Sequence, residues 1–300
     1  MHRHLRLTRL NCLCLTNQKS NLIPKLIFLN EWAVTIILLL GCCIGSFLNV
    51  VIHRLPTMLE RQNRSSTTKE TDGFRFNLAV PRSHCVTCKR SLSLFELIPI
   101  LSWLALKGKC KSCQSRISPR YPLVELLTAL LTLTIIYIFG FQLKTGAILI
   151  FSWSLLALAF IDWETKLLPD QITLPLLWMG LIINLSGTIT SLPSAVIGAI
   201  VGYGFLWVIY WLYKAIAKTE GIGHGDFKLL SAIGAWLGWQ ALPITILLSA
   251  TSALIFAVIG LARGSINRGD SIPYGPFLAF SGWICLVSYS IGLQQFISIG

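Results

Sequence analysis

The chain has 300 residues, 54% of them hydrophobic and only 12% charged, with a mean hydropathy of +0.69. Soluble domains carry about 25% charged residues, so this composition excludes an ordinary soluble domain and predicts a polytopic membrane protein. The formal charge of +13 sits mainly in loops beside apolar segments, which argues for topology signals and membrane lipid headgroups and for no nucleic acid.

Residues 1–32 form a polar, basic extension with Arg3, Arg6, Arg9, Lys19 and Lys25. No small-residue cleavage site follows the next apolar run, so 33–53 is expected to stay as the first transmembrane helix. Cys12 and Cys14 are too few for a metal site. The run ends in Gly45-Ser-Phe-Leu-Asn-Val-Val-Ile-His-Arg-Leu-Pro56. Gly45 and Ser46 are small enough for close helix packing. Asn49 and His53 read as helix-packing or interfacial polar residues.

A loop domain is expected over 54–121. It holds Cys85-Val-Thr-Cys88 and Cys110-Lys-Ser-Cys113, two CxxC knuckles 21 residues apart. Paired thiolates at this spacing can all point into one tetrahedron, the pattern of a structural zinc site. His84 is surplus to four cysteines. Between the knuckles, 92–106 is apolar but interrupted by Glu96 and Pro99. It is too short to span comfortably and is expected to lie on the membrane surface or to re-enter.

Seven more apolar segments lie near 122–140, 147–161, 172–189, 192–213, 227–241, 243–262 and 277–297. The fold class is therefore all-α, with about eight transmembrane helices and a zinc-binding loop domain after the first. The segment 227–241 is the weakest span, with a half-buried or re-entrant segment as the alternative. If sides alternate, one face collects 19 Lys and Arg and the other only Lys144. The positive-inside rule puts the richer face, and the cysteines, in the cytoplasm; the five bases before the first span disagree. A reducing cytosol favours zinc over disulfides.

Two acids then fall on the same face. Asp162 ends one apolar run, and Asp226 heads another in Thr219-Glu-Gly-Ile-Gly-His-Gly-Asp226. Gly223 and Gly225 clear side chains from around Asp226. Acids at the edge of the hydrocarbon are costly and read as functional. Two carboxylates in one site do not both ionise easily, so one can act as base and the other as acid. Asp170 sits at the start of a span and reads as supporting. Glu164 reads as a solvated loop acid and Lys228 as a snorkelling base, while Glu125, inside an apolar run, needs a polar partner. A proton-coupled transporter using the two acids as a relay, or a zinc-held scaffold, would also place acids in a membrane.

The ordered set resembles the bacterial type IV prepilin peptidases, membrane aspartic proteases of the GxGD type, over roughly 35–297. It comprises the stretch 45–56, both knuckles, Arg120-Tyr-Pro-Leu-Val-Glu-Leu-Leu127, Asp162-Trp-Glu-Thr-Lys-Leu-Leu-Pro-Asp-Gln-Ile-Thr173, Gly223-His-Gly-Asp226 with Phe227-Lys-Leu-Leu230, and Ile272-Pro-Tyr-Gly-Pro-Phe277. The resemblance implies that Asp162 and Asp226 are catalytic in a peptidase domain over 122–297. It implies an enzyme of the inner membrane that cleaves the basic leader of type IV prepilins and pseudopilins after a glycine. It also implies methylation of the new N-terminus with S-adenosylmethionine. Residues 1–32 have no counterpart in that pattern.

Overall fold

The computed structural model describes residues 30–67, 77–218, 223–267 and 270–290. The expectations for residues 1–29, and for Gly221, lie outside them. Among the described residues the secondary structure is helical, with two isolated antiparallel bridges in the loop domain. The helices are α1 (Glu31–Thr67), α2 (Leu101–Ala105), α3 (Arg120–Phe139), α4 (Leu143–Thr165), α5 (Asp170–Asn184), α6 (Leu192–Ala217), α7 (His224–Leu237), α8 (Leu242–Ala262) and α9 (Gly275–Ser290). Each of the eight expected spans overlaps one of them, and residues 291–297 of the last lie outside the described residues.

By length and composition, α1, α3, α4, α6 and the Trp239–Ala262 segment can each cross a membrane. Their outer faces carry exposed Leu39, Leu40, Leu130, Ile200, Leu247 and Leu254, as expected where the solvent is lipid. The remaining three, α5, α7 and α9, have 15, 14 and 16 residues. At 1.5 Å per residue α7 is about 21 Å long, short of a hydrocarbon layer of about 30 Å. It lies inside the protein instead. From Asp226 to Leu237 every residue except Lys228 is buried.

Glycine makes that burial possible. An added Cβ on Gly198 of α6 would lie 2.4 Å from the Gly234 carbonyl oxygen of α7, and one on Gly234 would lie 2.2 Å from the Gly198 carbonyl oxygen. The two backbones therefore touch where the helices cross. Ser231 donates to the Ala199 carbonyl beside this contact at 2.7 Å. On the other side, Trp236 fits against Gly180 of α5 and donates to the Leu176 carbonyl at 2.7 Å. Asn184 closes the end of α7 by donating to the carbonyls of Ala235 and Trp236. Its Oδ1 accepts from the N–H groups of Ile189 and Thr190.

The same device joins α1 to α3. Added Cβ atoms on Gly41 and Gly45 would each lie 2.6 Å from a Cα, that of Ala129 and of Glu125. Helix α1 then continues through Pro56 to Thr67, past the end of the apolar run. Met58, Leu59, Glu60, Arg61 and Gln62 are helix formers, so the apolar boundary near 53 falls inside a helix. Arg54 holds the loop domain to it by donating to the carbonyls of Asn77, Leu78 and Pro81.

Candidate active site

Asp162 lies one turn before the end of α4, where Lys166 adopts a left-handed conformation (φ 54°) and its N–H donates to the Asp162 carbonyl at 2.8 Å. That tight exit ends the helix at the carboxylate. The Asp162 side chain is buried, and its Oδ2 accepts the N–H of Gly275, the first residue of α9, at 2.9 Å. The contact requires glycine. A Cβ at 275 would lie 2.7 Å from Oδ2 and 3.0 Å from the carboxyl carbon.

Asp226 occupies the first turn of α7, with Gly223 before the helix and its N–H donating to the Gly223 carbonyl at 3.1 Å. It too is buried, and its Oδ1 has no hydrogen-bond partner among the described residues. The two carboxylates are close enough to interact electrostatically. A buried carboxylate oxygen without a protein partner is costly, which sets Asp226 apart from the paired acids Asp170 and Glu164. Tyr274, next to Gly275, lies within the electrostatic reach of Asp226, and its hydroxyl bonds to Ser249 of α8 at 2.6 Å.

The glycines of the Asp226 motif differ. A Cβ on Gly225 would lie 2.6 Å from Cβ of Leu168, so Gly225 lets the α4–α5 connection sit directly against α7. Gly223 has ordinary extended φ and ψ and would meet only Asp226 Oδ2, at 3.4 Å. Asp170 is tied to this region through Lys228, whose ammonium reaches its two oxygens at 2.6 and 2.8 Å. Lys228 therefore joins the starts of α5 and α7 and does not snorkel alone. Glu164 is likewise paired, with Arg120 of α3, and is not a free loop acid.

Sequence reasoning missed Gly275 as the donor to Asp162. The available signal was a lone glycine between Tyr274 and Pro276 at the head of an apolar run.

In the loop domain the sulfurs of Cys85, Cys88, Cys110 and Cys113 all lie within 4.8 Å of one another. The two knuckles share one construction. Lys89 N–H returns to the Cys85 carbonyl, and Gln114 N–H to the Cys110 carbonyl. Lys89 and Gln114 both take positive φ, 59° and 58°. The Cys85 and Cys113 sulfurs are 3.7 Å apart. Four Zn–S bonds of about 2.3 Å in a tetrahedron need sulfurs about 3.8 Å apart, so the donor set fits zinc. A hydrogen bond from the Cys88 N–H, then one from the Ser115 hydroxyl, lowers the Cys85 thiol to about 5 and favours the thiolate that binds metal.

Comparison with known proteins bears on the family of the chain. Residues 39–139 match the bacterial peptidase A24 N-terminal domain, and residues 149–258 match the type IV leader peptidase family. A protein of Stutzerimonas stutzeri is 48% identical over 256 residues, covering 83% of this chain and 89% of its own. One of Aeromonas salmonicida is 51% identical over 261 residues, covering 84% and 90%. One of Pseudomonas aeruginosa is 49% identical over 257 residues, covering 83% and 88%. All three are named prepilin leader peptidase/N-methyltransferase. No solved structure matches the chain. The proton-relay transporter gains no support from any of these matches. With its two matched domains and relatives near 50% identity, the chain belongs to the type IV leader peptidase family.

Proposed function

We propose that Asp162 and Asp226 are the catalytic pair of a prepilin peptidase in the bacterial inner membrane, with the pair at the cytoplasmic face. One carboxylate takes the proton of a water as it attacks the scissile carbonyl. The other supplies a proton to the leaving amine. The observation that carries this reading is the pairing of two buried carboxylates from different helices. One is fixed by a backbone N–H, and the other holds an oxygen without a partner. Gly275 orients Asp162, and Lys228–Asp170 and Gly225–Leu168 hold the head of α7 against the exit of α4.

The substrates are type IV prepilins and type II secretion pseudopilins, cut after a glycine. A basic leader followed by an apolar helix leaves its scissile bond at the cytoplasmic interface, where the charge distribution puts both aspartates. The names of the relatives include N-methyltransferase, and this chain methylates the new N-terminus as a second step. S-adenosylmethionine supplies the methyl group. Zinc on Cys85, Cys88, Cys110 and Cys113 is structural and fixes the two knuckles to each other.

The test is prepilin cleavage by purified protein. Asp162→Asn and Asp226→Asn keep the size of each side chain and remove its titrating group. Each should abolish cleavage while zinc content and membrane level stay those of the wild type. Wild-type cleavage by Asp226→Asn would end this mechanism.

A further inference from the structure

Beside the aspartate pair, one hydroxyl has its proton committed elsewhere. Ser249 of α8 is fully buried, and its Oγ meets two oxygens, the Ile246 carbonyl at 3.0 Å and the Tyr274 hydroxyl at 2.6 Å. A carbonyl only accepts, so the single Ser249 proton goes there. The 2.6 Å contact is then a hydrogen bond only if the phenol donates. Tyr274 Oη is left with lone pairs and no proton to give. It stands next to Gly275, the donor to Asp162, and within electrostatic reach of Asp226.

The two acids have one feature in common and differ in the rest. Each carboxyl has a backbone N–H, that of Gly275 for Asp162 and that of Gly223 for Asp226. Beyond this, Asp162 has a cation, Lys166, within electrostatic reach. That surrounding suits an ionised carboxylate. Asp226 has instead a hydroxyl oxygen that only accepts. Its Oδ1 is buried and has no partner among the described residues. Lone pairs repel a carboxylate and tolerate a carboxylic acid. The Gly223 N–H serves Asp226 as it would the carbonyl oxygen of a neutral acid, and leaves Oδ1 to carry the proton.

Two carboxyls this close share one proton, and opposed surroundings assign it. We infer that Ser249 and Tyr274 are positioning residues that divide the labour of the pair, with Asp226 as the acid and Asp162 as the base. The inference rests on the peptidase reading above and adds which carboxyl does what.

The step balances within the site. Asp162 takes one proton of the water as the water oxygen bonds to the scissile carbonyl carbon. The carbonyl π pair moves onto its oxygen. That pair then returns, the C–N bond breaks with its electrons on nitrogen, and nitrogen takes the Asp226 proton. The proton on Asp162 passes to Asp226 before the next turnover, so the pair holds one proton at the start of each.

Other charges lie around Asp226. The Lys228–Asp170 pair joins the starts of α5 and α7. On the α6 side His224 contacts the Tyr210 ring, and the Tyr210 hydroxyl accepts from Lys214 at 3.1 Å. The variants below alter none of these.

The experiment is the pH profile of prepilin cleavage by the full-length protein in detergent. Its alkaline limb reports loss of the shared proton. Ser249→Ala removes the acceptor that holds the phenol, and the Tyr274 proton is then free to turn toward Asp226 and stabilise its ionised form. The expected result is a limb displaced by about one pH unit to lower pH. In a Tyr274→Phe background, Ser249→Ala should leave the limb where it was. Ser249→Cys, with a weakly accepting sulfur, should displace the limb in the same direction and serves where the alanine variant folds poorly. A packing defect lowers the whole curve and leaves the limb in place. A wild-type limb in active Ser249→Ala and Ser249→Cys overturns the assignment, and so does an equal displacement in the Tyr274→Phe background. A wild-type protein that cleaves no prepilin overturns the peptidase reading itself.

Discussion

Gly275 donates its backbone N–H to Asp162 across 2.9 Å, and no Cβ fits between them. The carboxylate on α4 is thus set by the first residue of α9, from more than a hundred positions away. A side chain at 275 would have to push the acid, the helix or both.

Gly275→Ala therefore tests orientation separately from acidity. Both aspartates remain, but Oδ2 is displaced by part of an ångström or more. Misplacement on that scale can cost about a hundredfold. The expected result is a fall in cleavage rate of about that size, with membrane level unchanged, measured on a prepilin in the same assay.

The two acids should act as a unit. The double variant Asp162→Asn, Asp226→Asn is expected to lose little beyond either single variant, because non-additivity is the signature of groups serving one step. Asp170→Asn should be milder. Its loss should follow protein level, since Asp170 meets Lys228 at a partly exposed position and such pairs are worth about 1 kcal/mol or less. Residual cleavage that multiplies down in the double variant would count against a shared mechanism.

Gly234→Leu addresses the crossing of α6 and α7. Its Cβ would overlap the Gly198 carbonyl, and overpacking a tight contact costs about 1–3 kcal/mol or more. Lower thermal stability in detergent and reduced yield are expected. Gly204→Leu, on the same α6 with nothing within 4 Å, should be close to wild type and serves as the control.

Zinc should be present at about one ion per chain, measured by elemental analysis. Cys88→Ser or Cys113→Ser should lower retention, because a hydroxyl replaces thiolate poorly. Strong chelation should loosen the region 77–121 first, seen as faster proteolysis there than in the helices. A wild-type protein that binds no zinc and carries two disulfides would refute the site.

Much of this was readable from residue order. The apolar segments and the four-cysteine cluster rest on period and spacing. These signals are local, and each survives folding intact. The parts that were not legible depend on partners distant in sequence. Lys228 and Asp170 look like separate charges until α5 and α7 start side by side. Glu164 looks solvated until α3 delivers Arg120. For α7 a half-buried or re-entrant segment was among the readings, but its full burial was not legible. A helix of 14 residues is a poor span, and only Gly198 and Gly234 hint that another backbone covers it. Helix α1 runs on to Thr67, beyond the expected transmembrane boundary at 53, because hydropathy marks the lipid boundary and not the helix boundary.

The exposed ridge between the two knuckles carries one more consequence. Leu94, Phe95, Leu101 and Leu104 are each more than half exposed, on the short turns that flank Ile100. Glu96, among them, is paired with Arg90 and bonded to the Ser93 backbone, so its charge is already satisfied there. An apolar edge with its one acid neutralised can rest in the headgroup layer at little cost. Because Ile100 donates to Glu125 of α3, a displacement of that edge by the bilayer would pull on a hydrogen bond to α3. The tempo of the enzyme should then respond to lipid chain length, as a soluble protease could not.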